Sequence, residues 1–177
     1  RPDIDQYAIT CNGIEKLMTT LQLLDTQGFE RVIIFCNTKH MCQRLCDDMQ
    51  GRSYSVDCLH GDIRQSQREK VMQKFRDGKL NVLVATDVAS RGIDVDDVEC
   101  VINYDIPEEN EYYIHRIGRT GRAKGAAYTL VGSLLEKSKL DEIAKYSHFT
   151  IKPVKLTGDG KLQEVEVKKP QVKLKYR

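Results

Sequence analysis

Short β-branched apolar runs alternating with amphipathic stretches of helical length constrain this chain more than any other feature. That alternation is the pattern of βαβ units, and so of a mostly parallel sheet with helices on its faces. The runs VIIF (32–35), SVDCL (55–59), NVLVAT (81–86), CVINYD (100–105) and AAYTLV (126–131) read as strands. Between them TKHMCQRLCDDM (38–49), SQREKVMQKFRDG (66–78) closing on Gly78, EENEYYIHRI opened by Pro107, and LLEKSKLDEIAKY (134–146) read as helices. A further helix is predicted over 14–27, after the leading DQYAIT, because Leu17, Leu21 and Leu24 recur at spacings of four and three. At 177 residues, 40% apolar and 31% charged, the chain has room for one packed core and not for two.

No stretch approaches the roughly 18 apolar residues of a membrane span, and RPDIDQYAIT lacks the apolar run of a signal peptide. An intracellular chain with no membrane partner is therefore expected, cytoplasmic with a nuclear setting left open, or a fragment of a longer one. The net charge of +2 makes the whole-chain field weak, so any contact with a polyanion must come from local placement. From about Lys155 the composition shifts to turn glycines, a proline and lysines; residues 161–177 carry +4 and the remainder −2. This divides the chain into a core over 1–154 and a basic C-terminal extension or linker over 155–177. There Val172, Leu174 and Tyr176 alternate with lysines, as an edge strand or a solvated basic arm would. The six cysteines (Cys11, Cys36, Cys42, Cys46, Cys58, Cys100) form no Cys-x-x-Cys pair and lie near no zinc-finger histidines. They are expected to be reduced thiols packed as small hydrophobes, with no metal.

In an open parallel sheet, ligands gather beyond the carboxyl ends of the strands. The unusual residues crowd there: Asn37-Thr38-Lys39 after VIIF, His60-Gly61-Asp62 after SVDCL, and Thr86 through Asp94 after NVLVA. Thr86 and backbone N–H groups could hold a phosphate with Arg91 as counter-charge, leaving Asp94 for a sugar hydroxyl; equally, Asp87 could be an N-cap and Gly92 a turn. A fourth cluster, His115-Arg116-Ile117-Gly118-Arg119-Thr120-Gly121-Arg122, ends the helix after CVINYD. If that helix continues, positions 115, 119 and 122 share one face and Arg119 and Arg122 point together, fit for an NTP γ-phosphate or an RNA backbone. A solvated cationic helix end is the plainer alternative.

Together these stretches resemble the C-terminal half of the DEAD-box ATP-dependent RNA helicases over roughly residues 1–150. VIIFCNTK is similar to that family's fourth motif, HGDIRQSQRE contains its Gln-x-x-Arg element at Gln65 and Arg68, VATDVASRGIDV is similar to its fifth motif, and HRIGRTGR to its sixth. The wording INYDIPEENEYYIHRIGRTGR looks most like bacterial members. The resemblance implies a three-layer RecA-like α/β domain that lends half of two composite sites. It implies that Arg119 and Arg122 are arginine fingers reaching ATP, that Asp94 with Gly92 belongs to the nucleotide site, and that Gly61, Gln65, Arg68, Thr86 and Arg91 hold the RNA sugar-phosphate backbone. His115 and Arg116 would couple the two sites. The sequence contains no Gly-x-x-x-x-Gly-Lys-Ser/Thr loop and no Asp-Glu-Ala-Asp tetrad. ATP and Mg²⁺ would therefore be held mainly by an N-terminal RecA-like domain, and this piece alone is expected to be inactive. The rivals are a non-catalytic RNA-binding or scaffold module and half of a DNA-translocating helicase.

Overall fold

Strands of four residues with every side chain buried exist only where both faces of a sheet are covered, and Val32–Phe35, Val82–Ala85 and Cys100–Asn103 are of that kind. The structure, a computed structural model, describes residues 4–12, 15–91, 95, 97–120 and 125–165. Its elements run β1 (Asp5–Thr10), α1 (Glu15–Gln27), β2 (Val32–Phe35), α2 (Lys39–Gly51), β3 (Val56–Leu59), α3 (Gln65–Arg76), β4 (Val82–Ala85) and α4 (Asp87–Ser90). They continue as β5 (Cys100–Asn103), α5 (Asn110–Ile117), β6 (Ala126–Val131), α6 (Leu134–Ser147), β7 (Lys152–Leu156) and β8 (Leu162–Glu164). The strands form one sheet in the order β3-β4-β2-β5-β6-β1-β7-β8. Every pairing is parallel except the β7–β8 hairpin.

The pleat splits each strand between two cores. Val32 and Ile34 of β2 join Leu21, Leu23, Leu45 and Met49 of α1 and α2 on one face. Ile33 and Phe35 join Val71, Phe75, Tyr113, Ile117 and Ile143 of α3, α5 and α6 on the other. Helix over sheet over helix is the three-layer α/β arrangement expected. Helix starts are fixed locally, by Thr38 Oγ1 accepting the Met41 N–H at 3.1 Å and Ser133 Oγ accepting the Glu136 N–H at 3.1 Å.

Two boundaries differ from the sequence reading, and the leading segment, which it left unassigned, takes a place in the sheet. The leading DQYAIT is a strand, β1, inserted between β6 and β7. Pro107 lies buried in the loop ahead of α5, which begins at Asn110. Nor does α5 run on through the arginine cluster: Gly118 is its C-cap at φ −63°, ψ −9°. Thr120 Oγ1 then donates to the Ile117 carbonyl at 2.7 Å, and Thr120 pairs with Val98 in a parallel bridge that draws the chain out of the helix. The shared helical face expected of positions 115, 119 and 122 is therefore not formed, and Arg122 lies outside the described residues.

The compositional shift at Lys155 falls inside β7, and the sheet continues to Glu164. The hairpin is fastened to α1, where Gln22 Nε2 donates to the Thr157 carbonyl at 2.9 Å and Gln27 Nε2 to the Gly160 carbonyl at 2.6 Å. Gly160 has φ +83°, and a Cβ there would sit 2.6 Å from Thr26 Cβ, so the turn requires glycine. The alternating Val172, Leu174 and Tyr176 lie outside the described residues.

All six cysteines are free and buried. Cys42 packs its Sγ 3.4 Å from the Val84 carbonyl, and burial pushes the Cys36 and Cys100 thiols above the usual range. A buried neutral thiol is a poor nucleophile. In the folded protein a charged disulfide reagent is expected to react with Cys36 and Cys100 at least 100-fold more slowly than in denaturant; fast native-state labelling of either would contradict this packing. Among the described residues no helix is long and apolar enough to cross a membrane.

Candidate functional site

The loops beyond the carboxyl ends of β2, β4 and β5 meet at one side chain. Arg116, near the end of α5, is 1% exposed and is the largest fully buried side chain of the described residues. Its Nε and Nη2 grip the Asp87 carboxylate at 2.8 and 2.7 Å as a bidentate pair. Nη2 also reaches Asn37 Oδ1 at 2.7 Å, and Nη1 reaches the Asp105 carbonyl at 2.9 Å and Asn103 Oδ1 at 3.3 Å. The guanidinium lies over the Phe35 ring, 5.2 Å from its centroid. A guanidinium has five N–H donors, and these five bonds occupy them, which is the condition under which a cation can be buried.

The acceptors are themselves held. Asn37 donates its backbone N–H to Asp105 Oδ2 at 2.9 Å and its side-chain amide to the Ile106 carbonyl at 2.8 Å, while Asn103 Nδ2 donates to Thr129 Oγ1 at 3.1 Å. Burial also pushes the nearby Tyr104 hydroxyl up to about 12. The loop after β2, the loop after β5, and α4 thus form one polar scaffold.

Helix α4 is a single turn. Thr86, its N-cap, accepts the Ala89 N–H on Oγ1 at 3.4 Å, so the cap is Thr86 and not Asp87. The carbonyls of so short a helix have few internal partners, and two arginines supply them. Arg68 of α3 donates Nη2 to the Ala89 carbonyl at 2.9 Å, and Arg119 donates Nη2 to the Ser90 carbonyl at 2.8 Å. Arg91, the C-cap, lays its guanidinium over the Tyr112 ring of α5, 5.2 Å from the centroid. Four arginines therefore converge on one turn of helix at the strand-end edge.

The structure brings Thr86, Arg68, Arg91, Arg116 and Arg119 together around α4. Gly61 lies exposed in the turn after β3, where a Cβ would meet nothing within 4 Å. Gln65 is the first residue of α3, exposed, with Nε2 3.5 Å from Glu69 Oε1. The preceding His60 is buried; its Nδ1 accepts the Asp62 N–H at 3.2 Å, so the proton sits on Nε2, 2.7 Å from Gln43 Oε1. His115 is exposed on α5. Gly92, Asp94 and Arg122 lie outside the described residues. The sequence reading put Asn37 at the strand-end edge without a role, missed Asn103, Asp105 and Tyr112, and for Asp87 weighed only an N-cap. A buried arginine demanding acceptors is the signal that would have led to Asn37, Asn103, Asp105 and Asp87, but nothing in the sequence marks Arg116 as the buried one.

The model of the helicase conserved C-terminal domain matches residues 15–124. The chain is 46% identical over 154 residues to the ATP-dependent RNA helicase FAL1 of the yeast Vanderwaltozyma polyspora, covering 85% of this chain and 38% of that protein. It is 39% identical over 171 residues to the ATP-dependent RNA helicase DeaD of Buchnera aphidicola, covering 96% of this chain and 28% of that one. The Saccharomyces cerevisiae Dbp5 structure bound to RNA and ADP BeF3 superposes with a TM-score of 0.80 at 33% identity, over 86% of this chain and 41% of that chain. The chain thus spans well under half the length of these relatives, and yeast and bacterial relatives match alike, so the bacterial leaning of the sequence reading finds no support.

Proposed function

Because the chain belongs to the helicase conserved C-terminal domain family, we propose that it is the C-terminal RecA-like half of an ATP-dependent RNA helicase of DEAD-box type. In this reading the arginines at the edge of α4 serve two ligands that are completed by an N-terminal RecA-like domain of the same protein. Arg119, with Arg122, reaches the terminal phosphates of ATP, where a fixed guanidinium neutralises charge that develops during phosphoryl transfer. Asp94 and Gly92 belong to the nucleotide side. Thr86, Arg91, Arg68, Gln65 and Gly61 face the sugar-phosphate backbone of RNA. Gly61 supports this, since neither its packing nor its φ requires glycine, whereas a ligand backbone approaching the loop closely would.

Arg116 is read as a scaffold for coupling, because it holds the loops of both sites in one arrangement; the exposed His115 would face the other domain. Each ligand gains contacts from both halves only when they close, so ATP and RNA favour the same closed state and reinforce one another. A closed cleft that bends one strand would open a short duplex locally. Among the described residues no group of three His, Cys, Asp or Glu side chains is arranged to hold a metal ion. In this reading Mg²⁺ is held by the other domain.

The observation that carries this reading is the convergence of Arg68, Arg91, Arg116 and Arg119 on α4 at the strand-end edge. Its test is ATP hydrolysis by the full-length protein with and without single-stranded RNA, against single-stranded DNA of matched length. RNA is expected to raise the rate at least tenfold and DNA to leave it near basal. Because the contacts are to phosphate and sugar, RNA affinity should be independent of sequence and fall with salt. RNA binding with no hydrolysis would favour a non-catalytic module, and equal stimulation by DNA a DNA-translocating enzyme.

A further inference from the structure

We infer that Tyr112 is a positioning residue for RNA binding: it is the platform that presents the Arg91 guanidinium to a backbone phosphate. The inference rests on the proposed RNA reading of this site and adds to it a residue that no motif assigns.

The arginines around α4 differ in what their donors do. Arg116 spends all five N–H groups on its own protein, and Arg68 gives an Nη2 donor to a carbonyl of α4. Among the described residues the exposed Arg91 side chain makes no hydrogen bond. Its contact is with the face of the Tyr112 ring, 5.2 Å from the centroid. A cation–π contact consumes no N–H donor, so the fork that matches a phosphate is left for a ligand. Arg91 is therefore held without consuming its donors.

Tyr112 is placed for this by α5. Tyr112 and Arg116 are spaced i, i+4, so both look from one helix face toward α4. Arg116 meets Asp87 at the start of α4, and Tyr112 meets Arg91 at its end. The neighbouring Tyr113 points into the core and donates its hydroxyl to Gln6 Oε1 at 2.7 Å. Of two adjacent tyrosines one is packing and the other lies half-buried beside the arginine. An exposed arginine has many rotamers, and holding one of them in advance lowers the ordering cost of meeting a ligand. A cation–π contact of this exposure corresponds to roughly a two- to fivefold change in affinity.

The test is a double-mutant cycle in the full-length protein, reading the Kd of a fluorescent oligouridylate in the presence of a non-hydrolysable ATP analogue. Tyr112→Leu is expected to weaken binding about threefold, and Tyr112→Phe, which keeps the ring, to bind as the unsubstituted protein does. In an Arg91→Ala background Tyr112→Leu should have no further effect. A loss of the same size in that background would overturn the inference, since Tyr112 would then act on RNA or on the fold by itself. So would full affinity of Tyr112→Leu, or an Arg91→Ala protein that binds normally. Failure of the unsubstituted protein to bind RNA would instead remove the functional reading on which the inference stands.

Discussion

Replacing Arg116 with methionine is expected to lower the free energy of unfolding by about 3 to 5 kcal/mol, the usual cost of leaving one member of a buried ion pair without the other. Asp87 keeps only 14% of its side chain exposed, so water cannot take the place of the guanidinium. Asn37, Asn103 and the Asp105 carbonyl lose a donor at the same time. Domains of this size are stable by about 5 to 15 kcal/mol, so the loss is a large share of the total. Urea unfolding of the isolated domain measures it directly. The double variant Arg116→Met with Asp87→Leu should recover part of the loss, because removing both charges also removes the desolvation penalty. A loss below 1 kcal/mol for Arg116→Met would show that the pair is solvated and that the three loops are held by something else.

That side chain also shows where sequence reasoning stops. The central strands were legible because β2, β4 and β5 are continuous apolar runs, a pattern with few alternatives when helices separate them. β1 was not: DQYAIT mixes Gln6 and Thr10 with apolar residues, and its identity as a strand comes from pairing Asp5 through Thr10 against Ala126 through Val131, a contact across more than a hundred residues. The hairpin of β7 and β8 was hidden for a similar reason. Its lysines and glycines read as part of a basic extension, yet Leu156 and Leu162 pack partly buried against the core and the turn is bonded to Gln22 and Gln27.

The start of α5 was misplaced because proline favours the first helical position in general, whereas here the chain turns for two more residues before Asn110. The clustering of arginines near residue 120 was legible, but their division of labour was not. Arg116 and Arg119 are three positions apart in one motif, and only burial separates the one that binds the protein's own loops from the one proposed to reach a ligand. Motif spacing records which residues travel together, while the number of acceptors around each guanidinium is a property of the packed structure.

Arg119→Ala in the full-length protein is expected to reduce RNA-stimulated ATP hydrolysis by about 10³ to 10⁵, the range found for arginine fingers in NTPases. The size follows from timing: in the proposed role the charge this side chain meets grows in the transition state, so its loss falls on kcat, with little change in the binding of ATP or RNA. The bond from Arg119 to the Ser90 carbonyl contributes about 1 kcal/mol to the fold, and urea unfolding of the variant measures its stability separately from its activity. RNA affinity with a non-hydrolysable ATP analogue serves as the control and should stay within a fewfold of normal. Arg119→Lys should not restore the rate, because a point charge on a flexible stem cannot reproduce a planar fork held against α4. Hydrolysis within tenfold of normal in Arg119→Ala would mean that Arg119 is a strut between α4 and the turn after α5, and that the phosphate is met by some other group.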